Sequence, residues 1–173
     1  MNKPLENFDA ARPADDGRQR ELRDALGAFA TGVTVVTALA PDGRPIGLTV
    51  SSFNTVSLDP PLIVWSLSLG SANHEAFRGA GHYAVNVLAL DQVWLSQRFA
   101  QPNGDKFGGI ELSPGLGGAP LLPGCCAYFE CRNETQHPGG DHLVFIGRVE
   151  RFARLAKEPL LFHGGRYKGL RDL

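Results

Sequence analysis

Four hydroxyl side chains stand within seven positions of a predicted strand: Thr49, Ser51, Ser52 and Thr55. On the alternation of a strand, Thr49 and Ser51 face one side, whereas Val50 and Ser52 face the other. Short hydroxyls beside free backbone N–H groups are good donors to the carbonyl oxygens or the phosphate of a ligand. Hydrogen bonding between neighbouring strands explains the same residues equally well, so both interpretations stay open at this point.

A second polar segment, SLSLGSAN, covers residues 66–73. It ends an apolar strand and leads into a short helix predicted over residues 71–78. Ser68, Ser71 and Asn73 therefore stand near a helix N-terminus, where backbone N–H groups and the helix dipole favour an anion. Ordinary N-capping needs only one of these side chains and remains the alternative.

A third segment, Gly139-Gly140-Asp141-His142, opens a predicted strand. Two glycines allow a backbone or a ligand to approach closely. An Asp-His pair at this position can orient an imidazole over a site. The alternative is a Gly-Gly hairpin turn followed by a surface histidine.

Several other kinds of site are excluded by the sequence. It contains no Walker-type phosphate loop, no G-x-G-x-x-G after a strand, no H-E-x-x-H and no G-x-S-x-G. The odd number of cysteines (Cys125, Cys126 and Cys131), without a secretion signal, predicts reduced thiols. Cys126 and Cys131 precede His137 and His142 in the order of a zinc site, but their odd separation puts the cysteines on opposite faces of a strand. No metal site is expected.

The apolar periodicity predicts the elements that must position these segments. Five apolar residues share one face of a helix that ends near Gly32: Leu22, Ala25, Leu26, Phe29 and Ala30. Strands are predicted over residues 33–39, 46–56, 62–67, 83–88, 126–132 and 142–152, the third of them buried on both faces.

Three further features complete this set of predicted elements. Asp91 is expected to cap a helix that runs to about residue 100, and residues 101–123 form a long loop. Gly147 inside the last strand indicates a bulge or a close backbone approach.

These elements favour a mainly β protein, an antiparallel β-barrel with peripheral helices, because the strands follow one another without regular helical crossovers. An irregular arm is expected over residues 1–15 and a single domain over residues 16–173. The net charge of −1 and the pI of about 6.5 give no electrostatic footprint for nucleic acid. Since the chain also lacks a membrane-length apolar run and a signal peptide, a cytoplasmic protein is predicted.

Several stretches, taken in order, resemble the short-chain flavin reductases of two-component flavin monooxygenases, which have the FMN-binding split-barrel fold. The matching stretches are FATGV at 29–33, GLTVSSF at 47–53, VSLDPPL at 56–62, YAVNVL at 83–88, DKF at 105–107, GDH at 140–142, PLL at 159–161 and RY at 166–167. The resemblance runs from about residue 25 to residue 170. The combination of TVSSF, DPP and GDH is specific, whereas each alone is weak.

The resemblance implies a six-stranded antiparallel split barrel that forms a homodimer. It implies an NAD(P)H:flavin oxidoreductase that passes a hydride to FMN, or alternatively FAD, and supplies a separate oxygenase component. His142 is implied to position the nicotinamide rather than to act as an obligatory acid or base. The implied flavin contacts are Thr49, Val50, Ser51, Ser52, Ser66, Leu67, Ser68, Ser71, Asn73, His74, Phe99, Lys106 and Tyr167.

The chain departs from the family pattern in one place. Many relatives carry a basic residue after the third strand, but residues 66–77 contain no Lys or Arg, and His74 is the one candidate there. Lys106 could supply the missing charge from a loop. The choice between FMN and FAD stays open, and a flavin-binding electron-transfer protein that does not oxidise NAD(P)H is the alternative function.

Overall fold

The computed structural model describes residues 16–172 of the 173-residue chain. The arm predicted over residues 1–15 lies outside the described residues. Within the described part, the α-helices are Asp16–Gly27 (α1), His74–Gly79 (α2) and Val93–Ala100 (α3). The strands of this part, β1 to β12 in chain order, are Thr31–Gly32, Thr34–Leu39, Pro45–Val50, Asn54–Leu58, Pro61–Ser68, His82–Val87, Ser113–Pro114, Pro120–Leu121, Ala127–Gly139, His142–Arg154, Leu161–His163 and Arg166–Lys168.

Seven strands form the main sheet in the order β3-β2-β6-β9-β10-β5-β4, and every neighbouring pair is antiparallel. The edge strands β3 and β4 are consecutive in the chain and are joined by residues 51–53 alone. A flat seven-stranded sheet would hold its edges about 29 Å apart. The backbone from residue 50 to residue 54 spans at most about 14 Å. The sheet therefore curls into a barrel that is split between β3 and β4.

The mainly β class with peripheral helices is confirmed, but the main sheet has seven strands rather than six. The strand predicted over residues 46–56 is in fact two strands, β3 and β4. The break falls at Ser52, whose Oγ accepts a hydrogen bond from the backbone N–H of Ser66 at 3.0 Å and donates one to the carbonyl of Ser66 at 3.3 Å. This hydroxyl replaces the backbone ladder at the split, so β5 keeps a partner there.

Aromatic side chains fill the interior of the barrel. The buried ring of Trp65 on β5 stacks on Phe145 of β10 with centroids 4.4 Å apart, and it meets Phe77 and Tyr83 edge-on. Side chains of β5 alternate between this interior and a half-exposed surface. The prediction that this strand is buried on both faces is therefore wrong, because only one of its faces looks into the barrel.

Gly147 in β10 has both features that the sequence indicated. The pairing of β9 with β10 shifts register between Ile146 and Gly147, which is a bulge. A Cβ atom at Gly147 would overlap the hydroxyl of the buried Tyr83. The glycine thus lets the tyrosine ring lie directly against β10.

The N-terminal helix ends earlier and is more exposed than predicted. It ends at Gly27, whereas Gly32 lies in β1 and pairs with β11. Its predicted apolar face is uncovered, since Leu22, Leu26 and Phe29 are 44%, 65% and 72% exposed. The periodicity correctly predicts the helix but says nothing about what covers it.

Two connections differ from the prediction. Helix α3 follows a 3-10 turn, Leu90–Gln92, in which the side chain of Gln92 rather than Asp91 accepts the N–H of Ala89 at 2.9 Å. The loop predicted over residues 101–123 contains the short paired strands β7 and β8.

The long strands β9 and β10 meet at a two-residue turn in which Gly140 has a φ of 65°.

The three cysteines are free and buried. Burial raises the pKa of the Cys125 and Cys131 thiols to about 12, which makes them poor nucleophiles. Within residues 16–172, no group of three or more His, Cys, Asp or Glu residues is arranged to hold a metal ion. None of the helices in this part of the chain is both long and apolar enough to cross a membrane.

Candidate functional site

The outer edge of β3 presents main-chain groups that no other strand of the described sheet covers. The carbonyl of Gly47 faces away from β2, because it accepts a hydrogen bond from the Lys106 ammonium at 3.2 Å. The N–H and C=O of one residue in an antiparallel strand point to the same side, and this side alternates along the strand. The N–H and C=O of Thr49 therefore also face outward and are available to a ligand.

Three adjoining cavities open along this edge. The inner cavity, about 190 Å³, lies between β3, α3 and β12. The middle cavity, about 280 Å³, shares Thr49 and Ala100 with the inner one, and it reaches the segment before α2. The outer cavity, about 430 Å³, shares Asn73 and Lys106 with the middle one and continues toward Arg44.

Eight of the residues implied by the resemblance line these cavities. Those of the inner cavity are Thr49, Val50, Ser51 and Tyr167, and those of the middle cavity are Thr49, Ser71, Asn73, Phe99 and Lys106. They come from β3, α3, β12 and three loops, so the fold gathers residues that are more than a hundred positions apart in the sequence.

Six of the implied residues do not line the three cavities: Ser52, Ser66, Leu67, Ser68, His74 and His142. Ser52 and Ser66 bond to each other across the split, as described above. The Leu67 side chain is 2% exposed and belongs to the barrel core. The Nδ1 atom of His74 lies 3.2 Å from a carboxylate oxygen of Glu75.

Hydrogen bonds hold the walls of the inner cavity. The Thr49 hydroxyl donates to the main-chain carbonyl of Ser96 in α3 at 2.7 Å. The Ser96 hydroxyl lies 2.9 Å from the hydroxyl of Tyr167 in β12. Because the Thr49 proton is committed to Ser96, the Thr49 oxygen offers acceptor lone pairs to anything in the cavity. Ser51 is exposed, and no other residue in the described part of the chain hydrogen-bonds to its hydroxyl.

Lys106 is a partly buried cation between the middle and outer cavities. Its ammonium donates to the carbonyls of Gly47 and Phe99, at 3.2 and 3.1 Å. Burial lowers the pKa of this group. No ion pair links Lys106 to a carboxylate within residues 16–172. A bound anion would supply the missing countercharge.

His142 stands beside the wall of the middle cavity rather than in it. It pairs with Ser68 at the end of β5, and the carbonyl of Asp141 accepts the N–H of Leu69 at 2.9 Å. The Nδ1 atom of His142 lies 2.7 Å from the Asp141 carboxylate. This hydrogen bond lowers the pKa of Asp141. The hairpin tip is thus docked on the chain that continues into Ser71.

The segment before α2 differs from the predicted helix start. The helix begins at His74 rather than near Ser71. Ser71 instead accepts the N–H of Asn73 at 3.3 Å through its hydroxyl oxygen, and Ser68 accepts the N–H of Gly70 at 3.2 Å in the same way. These short bonds stiffen the wall formed by residues 70–73.

A family model described as "Flavin reductase like domain" matches residues 26–171. The chain belongs to this family. The FMN reductase (NADH) SmoA of Agrobacterium fabrum is 49% identical over 148 residues, which cover 86% of this chain and 84% of that protein. The NADH:FAD oxidoreductase SgcE6 of Streptomyces globisporus, solved with NAD and FAD fragments, superposes with a TM-score of 0.85 at 36% identity and covers 93% of this chain and 98% of its own.

A longer relative is the reductase component of the flavin-dependent trigonelline monooxygenase of Acinetobacter baylyi. It is 42% identical over 148 residues, which cover 86% of this chain. The chain spans about half the length of that relative, 48%.

The residues of this flavin reductase family member fit a flavin. A flavin has a flat ring with a polar edge, a hydroxylated side chain and a phosphate. The outward main chain of Thr49 and the unengaged hydroxyl of Ser51 suit the polar edge, and Lys106 suits the phosphate. The three adjoining cavities together fall within the ~300–1,000 Å³ that is typical of ligand sites.

Sequence reasoning missed Ser96 and Ala100, which line the inner cavity. A weak signal for Ser96 exists, since it stands three positions before Phe99 on the buried face of a predicted helix. A polar residue at such a position needs a partner, and the partner is Tyr167. Ala100 gives no signal, because a small exposed residue at a helix end has no chemistry of its own.

Proposed function

We propose that the chain is an NAD(P)H:flavin reductase that uses FMN or FAD as acceptor and supplies reduced flavin to a separate oxygenase component. The observation that carries this proposal is the edge strand β3, which opens onto adjoining cavities next to Lys106, a cation with no carboxylate partner within residues 16–172. The relatives named above include two NADH-dependent flavin reductases and one reductase component of a monooxygenase. Residues 16–173 would act as one domain.

The protein would contribute binding, orientation and electrostatics, whereas a bound flavin supplies the hydride chemistry. The N–H of Thr49 and neighbouring main-chain groups of β3 would hold the polar edge of the ring. Such fixed dipoles stabilise charge that develops during reduction. Phe99 and Tyr167 would form apolar walls.

The phosphate would lie between Lys106 and the stiffened segment that contains Ser71 and Asn73. Lys106 is held by two main-chain carbonyls, so its position is set before the ligand arrives. A fixed cation of this kind binds an anion with less loss of side-chain entropy. His74, Ser66, Ser68 and the main chain of Leu67 would act by supporting this segment.

His142 would position the nicotinamide. Asp141 fixes one ring nitrogen of His142, and the hairpin tip is docked beside the wall of the middle cavity. Direct hydride transfer needs no proton donor or acceptor from the protein. A positioning role therefore accounts for His142 without assigning it acid or base chemistry.

The uncovered apolar face of α1 supports the proposal that two copies of the chain form a homodimer. Leu22 and Leu26 on α1, and Phe29 two residues after it, are large apolar side chains that stay exposed, and exposed apolar surface often marks an interaction site. Leu26→Glu would convert the dimer into a monomer, as measured by multi-angle light scattering. Arg23→Glu, at an exposed position on the same helix, would leave the dimer intact. The buried, free thiols favour a cytoplasmic location.

Anaerobic mixing with reduced nicotinamide tests the function. The purified protein is mixed with NADH or NADPH in the presence of FMN or FAD, and the visible absorption of the flavin is followed. A reductase bleaches the flavin at least a hundredfold faster than the same solution without protein. A protein that binds flavin but leaves it oxidised would be a carrier, and one that does not bind flavin would refute both readings of the site.

A further inference from the structure

One buried residue of α3, Ser96, connects three elements around the inner cavity, through its hydroxyl and through its main-chain carbonyl. The Ser96 side chain is 1% exposed on α3, yet its hydroxyl lies 2.9 Å from the hydroxyl of Tyr167 on β12. The carbonyl of the same residue accepts the Thr49 hydroxyl of β3 at 2.7 Å. Both partners face the inner cavity, and Ser96 itself lines it.

We propose that Ser96 is a positioning residue of the flavin site, which acts by fixing Tyr167 and Thr49 as the two sides of the inner cavity. This inference rests on the proposed function, because it assigns the inner cavity to the flavin. It adds a residue to the site that the resemblance does not imply.

The fold leaves Tyr167 in need of such a restraint. Strand β12 has three residues and is an edge strand of the small β1-β11-β12 sheet, outside the barrel. The Tyr167 ring contacts Phe162 edge-on, with centroids 5.5 Å apart. The ring also packs against the core cluster that contains Val33 and Leu95, and the hydroxyl bond to Ser96 fixes its far end relative to α3. A ring held in this way keeps the cavity open at a constant width.

The two partners of this bond differ in what they lose when it is removed. In a Ser96→Ala variant, the Tyr167 hydroxyl can turn to solvent because Tyr167 is half-buried. In a Tyr167→Phe variant, the Ser96 hydroxyl is left buried without a partner, which is the more unfavourable state. Ser96→Ala should therefore loosen the cavity wall while leaving the fold intact.

Flavin titration of single and double variants tests the proposal. Dissociation constants for FMN and FAD are measured by flavin fluorescence, and steady-state kinetics give KM for flavin, KM for NADH and kcat. Ser96→Ala is expected to raise the flavin Kd and the flavin KM by about threefold to tenfold, with KM for NADH unchanged. Ser96→Thr, which keeps the hydroxyl, is expected to have the flavin Kd and KM of the wild type.

A coupling measurement separates positioning from general destabilisation. In a Tyr167→Phe background, Ser96→Ala should have no further effect on flavin binding, because the bond is already absent. Tyr128→Phe is the matched control. It removes a tyrosine hydroxyl with two hydrogen bonds, to the carbonyl of Leu122 and from the N–H of Cys125, away from the three cavities. It should lower the melting temperature without changing the flavin Kd.

Three results would overturn the inference. The first is a folded Ser96→Ala protein that binds flavin as the wild type does. The second is a Ser96→Ala effect of the same size in the Tyr167→Phe background. If Ser96→Ala does not fold, an unchanged flavin Kd in Tyr167→Phe alone would be the third. In each case the wild type still reduces flavin, so the proposed function stands, whereas a wild type that neither binds nor reduces flavin removes both.

Discussion

A methyl group added at Gly47 should disturb the site by displacing Phe99, which lines the middle cavity. An alanine Cβ would lie 2.7 and 2.9 Å from two ring carbons of Phe99 and 3.1 Å from Phe107. Carbon atoms in contact prefer about 3.5–4.0 Å, so the overlap with Phe99 is roughly 1 Å. Phe99 is 1% exposed and cannot swing into solvent. Overpacking of this kind costs about 1–3 kcal/mol.

Gly32→Ala is the matched control for this prediction. Gly32 is also in a strand, but nothing lies within 4 Å of the position of its Cβ. Both variants restrict the unfolded chain equally, so the difference between them isolates the overlap at Phe99. Urea unfolding should give a free energy of unfolding for Gly47→Ala that is about 1–3 kcal/mol below that of Gly32→Ala.

The same overlap should weaken flavin binding. Lys106 bonds to the carbonyls of both Gly47 and Phe99, so a displaced Phe99 also moves the cation. Phe99→Leu in the Gly47→Ala chain should recover part of the loss, as a coupling of about 0.5–3 kcal/mol. Equal stability of Gly47→Ala and Gly32→Ala, with equal flavin affinity, would refute the reasoning.

Three further predictions follow from other parts of the fold. Gly147→Ala should lower the free energy of unfolding by at least about 1–3 kcal/mol, because its Cβ overlaps the Tyr83 hydroxyl, and equal urea midpoints would contradict this. The hydrogen bond from Arg148 lowers the pKa of Glu134, so Glu134 stabilises the fold when it is ionised. Glu134→Gln should therefore be less stable than wild type at pH 7, and the gap should close as the pH falls below about 4.3 and through the lowered pKa. A gap of the same size at pH 3 and pH 7 would exclude this role. His142→Ala should raise KM for NADH by about threefold to tenfold with the flavin Kd unchanged, and unchanged NADH kinetics would show that His142 does not position the nicotinamide.

Local patterns predicted much of the barrel, because strands, turns and close approaches leave short-range signals. The alternation correctly put Thr49 and Val50 on opposite faces of β3, since Val50 packs in the barrel core and the Thr49 hydroxyl bonds to Ser96 of α3. Gly147 indicated a bulge because few other reasons place a glycine inside a long apolar strand. The ordered resemblance then supplied the family, which composition alone does not identify.

Other features could not be predicted because they depend on contacts between distant residues. The bond of Ser52 to Ser66 divides one predicted strand into two, and nothing near Ser52 in the sequence announces its partner. The exposure of Leu26 depends on which residues pack against α1, and the periodicity of α1 carries no information about them. Ser96 became visible as a site residue only when the fold placed it between Thr49 and Tyr167.

The central claim is that the cavities along β3 hold the flavin that this chain reduces. Ala100 is exposed at the end of α3 and lines both the inner and the middle cavity, so a phenylalanine there would occupy the space they share. Gln97→Phe, on the same helix but outside the three cavities, is the control. Ala100→Phe should raise the flavin Kd at least about tenfold, or roughly 1.4 kcal/mol, and slow NADH-dependent flavin reduction in parallel. The two variants should have the same melting temperature. Flavin binding and reduction by Ala100→Phe at the level of Gln97→Phe and wild type would contradict the account.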